Sequence, residues 1–117
     1  MEVDPESLTI TADPALIEQV LINICKNSVE AVSGGSRPKI KLKAGTDGLG
    51  NPVVKVIDNG KGIAEDVAER IFIPFFTTKP EGSGIGLSLS RQIMRMHKGT
   101  IGVTSTPEEK TAFKLRF

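Results

Sequence analysis

The chain contains no tryptophan and no tyrosine, and only five of its 117 residues are phenylalanine. So few aromatic rings leave few surfaces on which the bases of a single-stranded nucleic acid could stack. The formal net charge is only +1, so no excess of positive charge points to nucleic acid or to an anionic membrane as a partner. We therefore expect no nucleic-acid partner and no direct membrane contact by this domain.

Cys25 is the only cysteine, which excludes an internal disulfide and a cysteine metal cluster. A lone thiol fits a reducing cytosol, and we expect a cytoplasmic domain; a membrane anchor in the full-length protein stays open. The sequence has no long apolar run and no signal peptide. The length of the sequence suits one domain with one modest core. Because the sequence stops within the strand-like residues 113–117, we expect a single domain, 1–117, excised from a larger protein. We expect that Met1 is not native to that protein.

Residues 14–32 are predicted to form a helix. Asp13 can cap its first turn and Pro14 suits the first helical position, while Ser33-Gly34-Gly35 predicts its end. Apolar or small residues recur at helical spacing between these signals. They are Ile17, Val20, Leu21, Ile24, Cys25, Ser28 and Val32.

Strand-like patterns occupy residues 8–11, 40–44, 53–57, 99–105 and 111–117, and the run 53–57 is apolar enough to be central. Residues 64–70 could form a short helix, and residues 84–96 predict a longer one with Ile85, Leu89, Ile93 and Met96 on one side. Between these helices, residues 71–83 read as an irregular loop. The order predicts an α/β sandwich, a mixed and mostly antiparallel sheet with helices packed on one face.

Asp58 ends the central apolar run and is followed by Gly60 and Gly62. A buried carboxylate is costly to ionise unless it is paired, and this one could accept a hydrogen bond from the exocyclic amine of a base. The two glycines would let the chain turn and let a flat ring approach the backbone. Taken alone, the segment fits an ordinary Asp-Asn-Gly turn equally well.

Asn23 and Asn27 lie four residues apart, so both amides project to the same side of the first helix. Asn27 borders the apolar stripe and Asn23 lies further out. An amide oxygen is a suitable ligand for Mg²⁺, which keeps most of its waters and takes phosphate oxygens as well. Taken alone, two solvated surface asparagines are the favoured interpretation.

A second glycine cluster, residues 82–87 (GSGIGL), leads into the second helix. Amide groups at a helix start, with the positive end of the helix dipole, favour phosphate. The segment is neither a Rossmann fingerprint nor a Walker A loop, because no strand precedes it and no Gly-Lys-Ser/Thr occurs. A glycine-rich hinge is the alternative. Lys79 could reach a phosphate, although a solvated lysine is favoured for this residue by itself.

His97, the only histidine, is predicted to be structural at a helix end, where its charged form would be favourable. Without a second histidine, a zinc-ligand role has no support. Phe75 and Phe76 are predicted to contribute to packing.

Four motifs, in this order, resemble the N, G1, F and G2 boxes of bacterial sensor histidine kinases. They are Asn23-x-x-x-Asn27, Asp58-x-Gly60-x-Gly62, residues 74–79 (PFFTTK) and Gly82-x-Gly84-x-Gly86-Leu87. The resemblance covers residues 13–117 and implies the catalytic ATP-binding domain, with the Bergerat or GHKL fold and with ATP and Mg²⁺ as ligands. Residues 75–80, Phe-Phe-Thr-Thr-Lys-Pro, form a lid sequence that looks like that of the nitrogen-regulation type of kinase.

The resemblance also implies roles for individual residues. Asp58 would bind the adenine amine, Asn27 would hold Mg²⁺, and Asn23, Asn27 and Lys79 would act in catalysis. Thr111 matches a threonine near the adenine, although Lys110 replaces the glycine that precedes it in the family. The residues implied to bind nucleotide are Asn23, Asn27, Asp58, Gly60, Gly62, Ile63, Thr78, Lys79, Gly82, Ser83, Gly84, Ile85, Gly86, Leu87 and Thr111.

The implied activity is transfer of the γ-phosphate of ATP to a histidine on a separate dimerisation domain, with a response regulator downstream. Related gyrase, mismatch-repair and chaperone ATPases have a glutamate where this chain has Asn23, and a neutral amide is a poor general base. We therefore expect the isolated domain to bind ATP and hardly hydrolyse it. The alternatives are an ATP-driven conformational module and an anti-sigma-type kinase or nucleotide-binding domain without transfer activity.

Overall fold

The computed structural model describes residues 2–3, 10–35, 37–76, 86–106 and 110–117. Their elements, in chain order, are β1 (Glu2–Val3), α1 (Pro14–Val32), β2 (Ile40–Thr46), β3 (Pro52–Asp58), α2 (Glu65–Ala68), α3 (Gly86–Met96), β4 (Thr100–Thr106) and β5 (Lys110–Arg116). The strands form one sheet in the order β1-β2-β3-β5-β4, in which only the β1–β2 pair is parallel among these described strands. The predicted mixed, mostly antiparallel sheet is confirmed.

Helix α1 begins and ends where its sequence signals predict. The Asp13 carboxylate accepts hydrogen bonds from the amides of Ala15 and Leu16 at 3.0 and 3.2 Å, which satisfies two donors of the first turn. At the other end Gly34 has φ +85, a left-handed conformation that glycine adopts without steric cost. The predicted stripe faces the core, where Val20, Ile24, Ser28 and Val32 are buried.

The sheet packs one face against α1 and α3, and β3 lies at its centre. Val56 on β3 is directly opposite Leu42 on β2 and Phe113 on β5, so alternate residues of all three strands point into the same layer. The buried apolar core is shared by both helices, the sheet and the turn after α2. It consists of Val20, Ile24, Val56, Ile71, Phe72, Ile93, Met94, Phe113 and Leu115.

The prediction of a strand at residues 8–11 is wrong for its described part. Ile10 and Thr11 belong to no strand, and residues 8 and 9 lie outside the described residues. The strand before α1 is instead Glu2–Val3, which pairs in parallel with Lys43 and Ala44 of β2. Two residues are too short to show alternation, so the sequence carries no periodic signal for this strand.

Helix α3 begins at Gly86, and its buried side matches the predicted one only in part. Ile93 is buried as predicted, but Leu89 is 42% exposed and Met96 is 67% exposed, and the other buried residues are Ser90 and Met94. Ile85 lies outside the described residues. The small Ser90 hydroxyl can lie in the interior because it hydrogen-bonds to the Gly86 carbonyl at 2.9 Å. Hydrophobicity alone does not predict a buried serine at this position.

His97 joins the end of α3 to the start of α1. Its Nδ1 lies 2.8 Å from the Ile93 carbonyl oxygen, and its Nε2 accepts the Asp13 amide proton at 3.0 Å. The predicted structural role is confirmed, because both ring nitrogens make contacts that connect the two helices. A protonated Nε2 could not accept the Asp13 amide, so the ring is neutral with its proton on Nδ1.

The segment after α2 is irregular, as predicted for residues 71–83 as far as they are described. Phe76 is half-buried against the core, but Phe75 is 78% exposed and has φ +67. The prediction that Phe75 contributes to packing is therefore wrong. A left-handed backbone on a non-glycine residue costs on the order of 1 kcal/mol or more, so the surrounding turn must hold Phe75 in this conformation.

Cys25 packs against the core, as expected, and its partial burial raises the pKa of the thiol. In the turn between β2 and β3, hydrogen bonds from Asn51 and Leu49 lower the pKa of the Asp47 carboxyl, and the nearby Arg116 guanidinium lowers it further. Within the described ranges, neither α1 nor any other helix has the length and apolar character needed to span a bilayer.

Candidate functional site

Asp58 lies at the end of central strand β3 and is 2% exposed. Its Oδ1 accepts the Gly60 amide at 2.9 Å, which bends the chain into the following loop. Directly across the ladder lies Thr111 on β5, which is also 2% exposed. A carboxylate buried this deeply, with a single amide as its hydrogen-bond donor among the described residues, is suited to binding a further hydrogen-bond donor.

Two hydroxyl groups continue from this carboxylate along the edge of the sheet. Thr111 Oγ1 lies 2.9 Å from Ser105 Oγ on β4, and Ser105 Oγ accepts the Ile63 amide at 2.8 Å. We call Asp58, Ile63, Ser105 and Thr111 the strand-end cluster. Sequence reasoning missed Ser105, which was read only as part of a strand. Its inward position in β4, two residues after Val103, was the signal that could have placed it beside Thr111.

The loop between Asp58 and Ile63 is held tightly against α1. A Cβ on Gly60 would lie 2.5 Å from the Ala31 carbonyl oxygen, so only glycine fits there. Glycine at this position is therefore required by the helix backbone, and the approach of a ring to Gly60 stays a prediction. Gly62 has φ +77 and supplies the predicted sharp turn.

Asn59 fixes the opposite side of this loop. Its side chain accepts the Lys39 amide at 2.8 Å and donates to the Arg37 carbonyl at 2.7 Å. The loop is therefore attached both to α1 and to the chain that enters β2, which pre-organises the backbone next to Asp58.

Asn23 and Asn27 lie on the side of α1 that meets the start of α3. Asn23 Nδ2 donates to the Gly86 carbonyl and to Ser90 Oγ, both at 3.2 Å, and Gln19 donates to Asn23 Oδ1 at 3.2 Å. Asn27 Nδ2 donates to the Asn23 carbonyl at 2.7 Å. These bonds orient both amides.

We call the set Gln19, Asn23, Asn27, Gly86 and Ser90 the helix junction. The picture of two solvated surface asparagines is wrong, because both are half-buried. Asn23 was expected to lie further out than Asn27, but its side chain hydrogen-bonds across to α3.

Helix α1 connects the two glycine segments. It contacts Gly60 through Ala31 and Gly86 through Asn23. Eight residues separate Ala31 from Asn23, which corresponds to about 12 Å along a helix axis. Helix α1 thus borders both the Asp58 loop and the start of α3, where a helix dipole would favour an anion.

The comparisons with known proteins agree with this arrangement. Residues 12–117 match the family model described as histidine kinase-, DNA gyrase B-, and HSP90-like ATPase. The chain belongs to this ATPase family. Over 114 residues it is 41% identical to the signal transduction histidine-protein kinase AtoS of Escherichia coli (strain K12) and 40% identical to sporulation kinase A of Bacillus subtilis (strain 168).

Both matches cover 97% of this chain and 18% of the relative, so the chain spans less than a fifth of the length of these kinases. Among solved structures, the catalytic domain of histidine kinase ThkA superposes with a TM-score of 0.85 at 38% identity, covering 99% of this chain and 74% of that one. Full-length ShkA in complex with AMPPNP gives a TM-score of 0.84 at 28% identity, covering 97% of this chain and 24% of that one. The GHKL-type fold and the likeness to sensor histidine kinase catalytic domains are therefore established.

In this ATPase family member, the described residues cover the predicted N and G1 boxes and parts of the predicted F and G2 boxes. Thr78, Lys79, Gly82, Ser83, Gly84 and Ile85 lie outside the described residues, so their phosphate contacts stay predictions. The assignment to the nitrogen-regulation type of kinase also stays a prediction, because residues 77–80 of the lid sequence lie outside the described residues. Gly86 opens α3, and Leu87 packs against the core.

The described residues fit a magnesium ion that takes most of its ligands from water and from the phosphates of a nucleotide. No group of three or more histidine, cysteine or acidic side chains in the described ranges could bind a metal. A single amide oxygen such as that of Asn27 leaves most coordination positions to water and phosphate oxygens, which is the usual pattern for Mg²⁺ with a nucleotide.

Proposed function

We propose that this chain is the catalytic ATP-binding domain of a sensor histidine kinase. It would bind ATP with Mg²⁺ and present the γ-phosphate to a histidine on a separate dimerisation domain, from which a response regulator would be phosphorylated. The observation that carries the proposal is the buried Asp58 carboxylate in the strand-end cluster. An ATP-consuming role would fit a domain located in the cytoplasm.

Asp58 would recognise the base. Carboxylate oxygens accept hydrogen bonds, so this side chain would favour a ring that offers an amino group over one that offers an oxygen. Thr111 and Ser105 would support the same edge of the base, since their hydroxyl groups can donate or accept. The Gly60 to Ile63 backbone would form the wall beside the ring.

Asn27 would contribute one oxygen to the Mg²⁺ that neutralises the phosphates, and this neutralisation is the chemistry the ion supplies. Asn23, Lys79 and the 82–87 backbone would position the phosphates. Catalysis would then consist of positioning and charge neutralisation, as is general for phosphoryl transfer.

The geometry of Asn23 supports transfer over hydrolysis. Its amide donates to α3 at two points and cannot remove a proton from water. A nucleophile supplied by another domain would fit this arrangement, which favours a kinase over an ATP-driven conformational module.

Nucleotide discrimination tests the base site. Calorimetric titration should show binding of ATP with Mg²⁺. Inosine triphosphate, which has an oxygen in place of the amino group, should bind on the order of 100-fold more weakly, because the buried carboxylate would then face another acceptor. Equal affinities would remove Asp58 from the base site.

Phosphotransfer tests the second half of the proposal. Mixing the chain with the histidine-bearing dimerisation domain of its own kinase should yield acid-labile phosphohistidine, while steady-state ATP hydrolysis by the chain alone stays close to background. Rapid turnover by the isolated chain would favour the conformational module. Tight ATP binding without phosphohistidine would favour a nucleotide-binding domain that lacks transfer activity.

A further inference from the structure

The sheet has a second face, on the side away from α1 and α3, with an unusual charge pattern. Lys43, Lys55 and Lys114 lie directly opposite one another on β2, β3 and β5. We call this surface the outer face. Like charges opposite each other across strands destabilise a sheet, so the Lys55–Lys114 pair works against the stability of the domain.

The charge of the central lysines is not balanced within the described part of the chain. No carboxylate there lies within ion-pair distance of Lys55 or Lys114. Arg116, at the end of the same face, differs because it lies near Asp47. The excess positive charge is therefore concentrated at the middle of β3 and β5.

A hollow of about 510 Å³ adjoins these lysines on the outer face. Its floor includes Ile57 and Ala112, which are direct partners across β3 and β5, and Gly102 of β4. A Cβ on Gly102 would meet nothing within 4 Å, so packing within the domain does not require glycine. Glycine in the interior of a strand weakens it and often marks a place where another chain approaches closely.

We propose that the outer face docks an acidic amphipathic helix of a protein partner. Small apolar side chains of that helix would enter the hollow above Gly102 and Ala112, and flanking carboxylates would meet Lys55 and Lys114. Such a partner neutralises Lys55 and Lys114 and also fills the space that Gly102 leaves open. A helix there would also cover the second face of a sheet whose first face already packs against helices.

The outer face suits other anionic partners less well. The backbone amides of these strands are used in the sheet ladders, so a small anion would find flexible lysine ends and no fixed set of donors. The described residues that border the hollow include no aromatic ring on which a base could stack. A hollow is also a poor match for a flat bilayer surface.

The test uses a synthetic helical peptide with an alanine and leucine stripe flanked by glutamates, and a matched peptide with glutamines in their place. Titration of the labelled chain should shift the amide resonances of Gly102, Ala112 and Lys114 with the glutamate peptide only. Lys55→Glu should weaken this binding on the order of tenfold. Lys26→Glu, the same charge change at an exposed site on α1, should leave it within about twofold.

Thermal unfolding separates docking from misfolding. Lys55→Glu places a negative charge between Lys43 and Lys114, so its melting temperature should equal or exceed that of the original chain, and its ATP affinity should be unchanged. The proposal is overturned if no resonance shifts at about 1 mM peptide, if the glutamine peptide binds equally well, or if the shifts map to the helical side. Binding of phosphatidylserine vesicles or a single-stranded oligonucleotide through Lys55, without binding of the peptide, would also overturn it.

Discussion

The strand-end cluster and the helix junction hold their polar groups by different means. In the cluster, Asp58 and Thr111 are partners in a backbone ladder, so the sheet itself sets the separation of the two side chains. In the junction, Asn23 reaches Gly86 and Ser90 only through its own side chain, across the gap between two helices. The first region is therefore fixed by main-chain structure, whereas the second depends on side-chain contacts that a ligand could readjust.

The largest expected effect is at the cluster. Asp58→Asn keeps the shape of the side chain and an oxygen for the Gly60 amide, but it removes the charge and introduces a donor facing the base. ATP affinity should fall on the order of 100-fold or more, measured by calorimetry, with little change in melting temperature. Asp66→Asn, at an exposed position on α2, is the matched control. Undiminished affinity in Asp58→Asn would mean that the buried carboxylate serves folding alone.

Gly60→Ala tests how rigidly the cluster is attached to α1. The new Cβ would collide with the Ala31 carbonyl, and neither backbone can move freely, so we expect a loss of about 1–3 kcal/mol in the free energy of unfolding. Gly48→Ala, which has open space around the new methyl group, should change it by less than about 0.5 kcal/mol. Equal denaturation midpoints for the two variants would show that the loop tolerates displacement.

Asn27→Ala tests the junction's part in metal binding. ATP affinity in the presence of Mg²⁺ should fall roughly tenfold, while the weaker affinity measured in EDTA should stay the same. Gln92→Ala, an exposed amide on α3, is the control. If Mg²⁺ strengthened ATP binding equally in all three proteins, Asn27 would lose its proposed role.

The smallest effects come from paired serine substitutions, one in each region. Ser105→Ala removes the acceptor of the Ile63 amide, and Ser90→Ala removes one acceptor of Asn23; each should cost about 1 kcal/mol of stability. Only Ser105→Ala should also lower ATP affinity, by about fivefold, because Ile63 borders the proposed base pocket. A larger loss of affinity in Ser90→Ala would reverse the comparison.

The elements with strong local signals were predictable from the sequence. Asp13-Pro14 and Ser33-Gly34-Gly35 mark both ends of α1 because capping and turning depend on adjacent residues only. The apolar run before Asp58 predicted a central strand and a buried carboxylate, and both are present. The sandwich followed from the order of these elements.

The errors occur where distant contacts decide the structure. The buried side of α3 includes Ser90, whose hydroxyl is hydrogen-bonded to Gly86 and to Asn23 of α1. Hydrophobicity alone cannot predict that these hydrogen bonds offset the burial of the hydroxyl. The contribution of Ser105 depends on the register between β4 and β5, and that of Gly60 on a helix nearly thirty residues earlier in the chain. No local sequence pattern predicts contacts between residues so far apart in the chain.

The histidine that joins α3 to α1 offers a reporter for the whole arrangement. One ring nitrogen of His97 donates a hydrogen bond to the Ile93 carbonyl of the helix it follows, and the other accepts a hydrogen bond from the amide of Asp13, the residue before the neighbouring helix. Nitrogen magnetic resonance distinguishes the two tautomers of imidazole, so a single nucleus in this chain can register whether the two helices keep their alignment. Because the chain contains one histidine only, that signal needs no assignment, and it can be followed while nucleotide or a partner is added.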